Sequence, residues 1–118
     1  MNKPFVLIVE DDPKLNEIIT ITLQNDFELE ACLDGDMALD RLQSIVPQIV
    51  VLDLNLPGTS GADILAHIRA DERFVKTRII LATADERQAE TLTDDADIVL
   101  LKPVSPVQLR ELALRISK

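Results

Sequence analysis

The stretch VLIVEDDPK, Val6 to Lys14, decides the fold. Four apolar residues run unbroken into Glu10, Asp11 and Asp12, and a proline follows. An apolar run of this length, bounded by turn chemistry, reads as a strand buried on both faces, as in a parallel sheet covered by helices. Asp12-Pro13 then reads as an N-cap with proline at the first helical position. The acids between strand and helix pose the functional question. Three adjacent carboxylates repel one another, so either water solvates them or something positive sits among them.

Outward from this stretch the same unit repeats. Apolar runs occur at FVLIV (5–9), IVVLDL (49–54), IILAT (79–83) and IVLL (98–101). FELEACL (27–33) alternates instead, with Phe27, Leu29, Ala31 and Leu33 on one face, and reads as an edge strand. Helical spacing links the runs. Leu15, Ile18, Ile19 and Thr22 share one face; Leu39, Leu42 and Ile45 another. So do Ile64, Leu65 and Ile68, and likewise Leu109, Leu112, Ala113 and Ile116. Ser60-Gly61 starts the third helix, and Ser105-Pro106 repeats the Asp12-Pro13 device for the last. The fourth helix, around residues 86–94, offers little beyond Ala89 and Leu92 to bury. Five alternations of strand and helix, joined by right-handed crossovers, predict an α/β fold. Its doubly wound five-stranded parallel sheet has the order 2-1-3-4-5.

The bulk numbers set bounds. The chain has 118 residues, 47% of them apolar, the size of one domain. No run approaches the roughly 20 apolar residues of a membrane span, and the N-terminal apolar run is too short for a secretory signal. A soluble cytoplasmic protein without membrane contact is expected. The net charge of −9 repels phosphate backbones, so no direct nucleic-acid contact is expected, while cations and basic protein surfaces suit the chain. Cys32, the one cysteine, reads as a small apolar strand residue. His67, the one histidine, reads as neither ligand nor phosphodonor.

In open α/β sheets ligands bind at the carboxyl ends of the strands, near the switch point between strands 1 and 3. Strand 1 ends in Glu10-Asp11, strand 3 in Asp53, strand 4 in Thr83-Ala84 and strand 5 in Lys102-Pro103. Carboxylates gathered this way favour a hard divalent cation such as Mg²⁺, which takes one or two carboxylates and substrate phosphate oxygens. Lys102 supplies a point charge suited to phosphate, and Thr83 a hydroxyl. An Asp among them can act as a nucleophile toward phosphorus, in a reaction that needs chiefly alignment and charge neutralisation.

VLIVEDD, IVVLDLNLPGTSG, IILATA and LLKPV occur here in one order at the ends of strands 1, 3, 4 and 5. In this the sequence resembles the receiver domain of two-component response regulators, a flavodoxin-like (βα)5 sandwich. The resemblance covers essentially the whole chain and implies one receiver domain over residues 1–118 with no effector domain in it. It implies Asp53 as phosphoacceptor and Asp11 as direct Mg²⁺ ligand. Glu10 holds the ion through water, and the backbone carbonyl of Asn55 is a further ligand. Thr83 bonds a phosphoryl oxygen, Lys102 pairs with the phosphoryl group, and the Lys102–Pro103 bond is cis. The implied donor is a sensor histidine kinase or a phosphotransfer protein, and the implied recipient an effector domain or downstream protein. On this reading the chain is no enzyme toward other substrates: it catalyses only its own phosphorylation and slow dephosphorylation.

The sequence departs from the family in two places. Val99 stands where relatives usually carry Tyr or Phe, so the usual ring-turning switch has no ring. The interval from Thr83 to Lys102 is about one helical turn short, and Asp95 stands near a usual glycine. Signalling through another surface, such as the first helix, or by a loop rearrangement without a ring flip, is therefore expected. Asn55 and Asp85, two positions beyond Asp53 and Thr83, imply a short-lived phosphorylated state. Two other readings compete with this one. A haloacid-dehalogenase-type phosphatase would place DxD after strand 1, where this chain has EDD. A pseudo-receiver that is never phosphorylated would usually have lost part of the acid, Thr and Lys set.

Overall fold

The computed structural model of the chain describes residues 3–118. Five parallel strands, β1 (Phe5–Val9), β2 (Glu28–Cys32), β3 (Ile49–Asp53), β4 (Arg78–Thr83) and β5 (Ile98–Leu101), form one sheet in the order β2-β1-β3-β4-β5. Helices α1 (Pro13–Leu23), α2 (Gly35–Leu42), α3 (Gly61–Arg69) and α4 (Glu86–Leu92) make the crossovers, α5 (Pro106–Ile116) follows β5, and a 3-10 turn (Glu72–Phe74) precedes β4. This is the predicted order, and β1 and β5 have the expected bounds.

Alternation along the strands divides the core in two. Leu7, Val9, Val50, Leu52, Ile79 and Leu81 face one side, against Ala38 and Leu42 of α2, Ile64, Leu65 and Ile68 of α3, and Phe74. Val6, Ile8, Ile49, Val51 and Ile80 face the other, against Ile19 and Leu23 of α1, Phe27, and Leu109 and Ala113 of α5. Each such side chain, buried fully, contributes about 1.5–3 kcal/mol. Helix starts are fixed by side-chain caps. Asp12, Asp34, Ser60, Asp85 and Ser105 each accept a backbone N–H of the first turn.

Three expectations need correction. The buried stripe of α1 runs through Asn16, Ile19 and Leu23, whereas Ile18 is 45% exposed. The polar Asn16 turns the stripe: its side-chain amide donates to the carbonyls of Glu10 (3.0 Å) and Cys32 (3.2 Å), tying α1 to the ends of β1 and β2. In the alternating segment, Phe27 is buried and Leu29 half-buried, but Ala31 and Leu33 are exposed and Cys32 is buried on the opposite core. β2 is a sheet edge, paired with β1 alone, and its outer flank is uncovered. β5, the other edge, is not buried on both faces; its residues are half-buried and Leu101 is 45% exposed. The seven-residue α4 is too short to cover it.

The entrance to β5 is held by a charge network. Arg69, at the end of α3, donates to the carbonyls of Asp95 and Thr77 and to the Asp97 carboxylate, which also accepts from Arg78 and the Ile79 N–H.

Candidate functional site

Strand register assembles the site. Val9 lies beside Leu52, so Glu10 arrives next to Asp53. Asp53 lies beside Ala82, and Thr83 beside Leu101, so Lys102 follows directly. The Lys102 N–H donates to the Thr83 carbonyl at 2.8 Å, and the Lys102–Pro103 peptide is cis, as expected. Four segments spread over ninety residues of chain thus meet at one edge of the sheet.

The centre is an ion cluster. The Lys102 ammonium sits 3.1 Å from both Glu10 Oε1 and Asp53 Oδ2. Glu10 and Asp53 are 3% and 2% exposed, whereas Asp11 faces solvent. One carboxylate oxygen from each of Glu10, Asp11 and Asp53 lies within 4.8 Å of the other two. The second Glu10 oxygen accepts the Asp12 N–H at 3.1 Å, and Asp53 Oδ1 accepts the Asn55 N–H at the same distance. Backbone donors thus fix both buried carboxylates, and Asp12 itself caps α1 through the Lys14 N–H. Glu10 and Asp11 thus belong to the cluster, and Asp12 to the helix cap.

Burial, then the neighbouring Asp53, pushes Glu10 up to about 7, against the lowering pull of the Asp12 N–H and Lys102. Burial alone would lower the Lys102 ammonium, but its bonds to Glu10 and Asp53 outweigh this and raise it. Three acids against one ammonium leave two negative charges when all are ionised. A divalent cation balances that excess, and an all-oxygen donor set suits a hard one. The residues present therefore fit Mg²⁺, with Glu10, Asp11 and Asp53 as the groups that would hold it.

Thr83, Asn55 and Asp85 lie next to this centre in strand register or in sequence. Thr83 is fully buried, and its hydroxyl accepts the Asp85 N–H at 3.1 Å. Asn55 begins the exposed loop after Asp53. Asp85 is committed as the N-cap of α4, its Oδ1 accepting the Arg87 and Gln88 N–H groups. His67 lies exposed within α3. Apolar periodicity missed Asn16, whose amide fixes the Glu10 carbonyl from below. Its signal in sequence is a polar residue interrupting the buried stripe of α1. Val99 packs partly against the α2–α3 core, and with Leu101 and the α4 residues Glu86, Ala89 and Glu90 it lines an open groove of about 390 Å³.

The family model of the response regulator receiver domain matches residues 6–114. The chain is 35% identical over 108 residues to the DNA-binding response regulator MtrA of Mycolicibacterium smegmatis, covering 88% of this chain and 46% of that protein. Among solved structures, the chemotaxis response regulator CheY4 of Vibrio cholerae superposes with a TM-score of 0.89 at 24% identity, over 98% of this chain and 99% of that one. The signal receiver domain of a LuxO repressor homologue from Vibrio parahaemolyticus gives 0.88 at 26% identity, over 98% and 90% of the two chains.

Proposed function

The chain belongs to the response regulator receiver domain family of two-component signal transduction, and from that premise we propose that Asp53 is its phosphoacceptor and that Mg²⁺ bound at Glu10, Asp11 and Asp53 is its cofactor. The observation that carries this reading is the ammonium of Lys102 poised 3.1 Å from the Asp53 carboxylate, beside two further acids.

The chemistry follows from the placement. Asp53 Oδ2, the oxygen paired with Lys102, attacks phosphorus of a phosphohistidine in line. A P–O bond forms as the P–N bond breaks, and the leaving imidazole takes a proton. Lys102, freed from part of its pairing, follows the charge onto the phosphoryl oxygens. Thr83, one strand position from the carboxylate, donates its hydroxyl to one of them. The Asn55 carbonyl would be a further ligand to Mg²⁺, which when bound would supply charge neutralisation. Hydrolysis then breaks the P–O bond with water and restores the carboxylate. Asn55 and Asp85 beside it favour a short-lived phosphorylated state. The domain so described turns over no external substrate. The completeness of the acid, Asp, Thr and Lys set supports this reading over a pseudo-receiver.

The donor is a sensor histidine kinase or a histidine phosphotransfer protein, and the setting cytoplasmic. Among the described residues no helix is long and apolar enough to cross a membrane. The chain spans just under half the length of its MtrA relatives. The output it serves, through an effector domain or a separate downstream protein, belongs to this proposal, as does the assignment of residues 1–118 to one receiver domain without direct nucleic-acid contact.

The test is chemical trapping. After incubation with a small phosphodonor and Mg²⁺, borohydride reduces an aspartyl phosphate to homoserine, which peptide sequencing locates. Homoserine at position 53 is expected; homoserine elsewhere, or none, contradicts the assignment.

A further inference from the structure

The sequence holds three glycines, and all three converge on the loop that follows Asp53. A Cβ on Gly61 would lie 2.3 Å from the Asp53 carbonyl oxygen, and one on Gly35 only 1.7 Å from the Thr59 carbonyl oxygen. Gly58 has φ +74° and fits against the Asp36 carboxylate. Backbone and side chain complete the contact. The Gly35 N–H donates to the Pro57 carbonyl at 3.1 Å. Asp36 Oδ1 accepts both the Thr59 N–H at 3.2 Å and the Thr59 hydroxyl at 2.6 Å.

The loop therefore has two anchors. At its inner end the Gly61 N–H donates to the Leu54 carbonyl, and the Asn55 N–H to Asp53. At its outer end it is fastened to the first turn of α2, a different element on the flank of the site. Asp36 does no capping: Asp34 accepts the Met37 N–H and caps α2. Apolar packing does not explain Asp36 either, since it is exposed. Its carboxylate is spent on Thr59.

We propose that Asp36 is a positioning residue for the phosphoacceptor loop: by holding Thr59 it fixes the path of residues 55–60 and ties the first turn of α2 to the state of Asp53. This rests on the phosphoacceptor reading in one respect, that Asn55 supplies a backbone ligand to the metal. Loosening the outer anchor frees that ligand, so metal affinity should fall while the fold remains.

The experiment uses the ¹⁵N-labelled chain with Asp36→Ala, Asp36→Asn, Thr59→Val and the Asp36→Ala/Thr59→Val pair. Amide exchange in EDTA reads the loop without metal, and amide shifts during Mg²⁺ titration read the site. One hydrogen bond to an exposed acid is worth roughly a three- to tenfold change. In Asp36→Ala, exchange at 58 and 59 should quicken by about that factor, and Mg²⁺ should bind about threefold or more weakly. Asp36→Asn keeps an acceptor oxygen and should restore most of both. The double variant should add little to Asp36→Ala, because both remove the same contact. Wild-type loop exchange in Asp36→Ala, or fully additive effects in the pair, would overturn the latch. A merely structural aspartate would quicken exchange across α2 and its strands alike, with Mg²⁺ affinity unchanged, and that pattern too would overturn it. If the wild type itself shows no Mg²⁺ response, the phosphoacceptor reading fails, and the EDTA exchange arm still decides whether Asp36 holds the loop.

Discussion

Glu10 shows how one residue carries both sequence legibility and a measurable consequence. Its type and place, an acid directly after a buried strand, were readable from VLIVEDD. Its degree of burial was not, because that depends on Lys102 arriving from the far end of the chain and on the Asp12 N–H turning back upon it. The consequence is a pH dependence with a definite sign. Unfolded, Glu10 titrates near its ordinary value of 4.5; folded, near 7. Below pH 4.5 it is protonated in both states and its full contribution to stability is present. Between the two values the unfolded chain ionises while the fold retains the proton, so stability is lost progressively as pH rises through 7. Urea unfolding in EDTA should show the wild type about 2 kcal/mol less stable at pH 7.5 than at 5.5 from this group, at 1.36 kcal/mol per unit. Glu10→Gln should remove most of that difference. A wild type whose EDTA stability rises across this window, and a variant that parallels it, would mean the burial is relieved some other way. The Glu30 carboxyl, held below its ordinary range by Arg41, acts in a lower window and with the opposite sign. Asn16 marks the limit of periodicity at this scale: a polar residue is buried because two carbonyls need its amide, and no apolar pattern encodes that.

Among the elements, legibility followed the strength of the local signals. Strands with unbroken apolar runs and helices with Asp-Pro or Ser-Pro starts fell where the sequence placed them. The buried amide shifts the stripe of α1, and the apolar residues of β5 say nothing of its exposure, which the shortness of α4 sets. That helix has one buried side chain, Ala89, so its N-cap carries an unusual share of its stability. Asp85→Ala removes acceptors from two N–H groups and should cost about 1 kcal/mol. Native-state exchange should show the loss confined to 86–93. A loss spread evenly over the sheet would mean that α4 unfolds only with the whole domain. The groove beside Val99 is lined by this helix and by Leu101, the residue before Lys102, so Val99 and the short α4 share one weakly covered corner.

Across the whole molecule, parallel topology is what makes the site legible at all. Parallel strands bring their carboxyl ends to one edge, so acids, threonine and lysine far apart in sequence can be assigned to one place before any distance is known. The latch from Gly35 and Asp36 to the 55–60 loop was not legible, because it joins two connections on neighbouring elements and has no periodicity; the concentration of every glycine there was its only trace. The central claim is that this edge takes a phosphoryl group on Asp53 with a divalent cation. Intact mass after incubation with acetyl phosphate, with Mg²⁺ or with EDTA, on wild type and Asp53→Asn, tests it most directly. The account predicts a single phosphoryl adduct on the wild type that requires Mg²⁺, decays after the donor is removed and is absent from the variant. An adduct that persists in Asp53→Asn or forms equally in EDTA would contradict it, as would a wild type that stays unmodified while binding Mg²⁺.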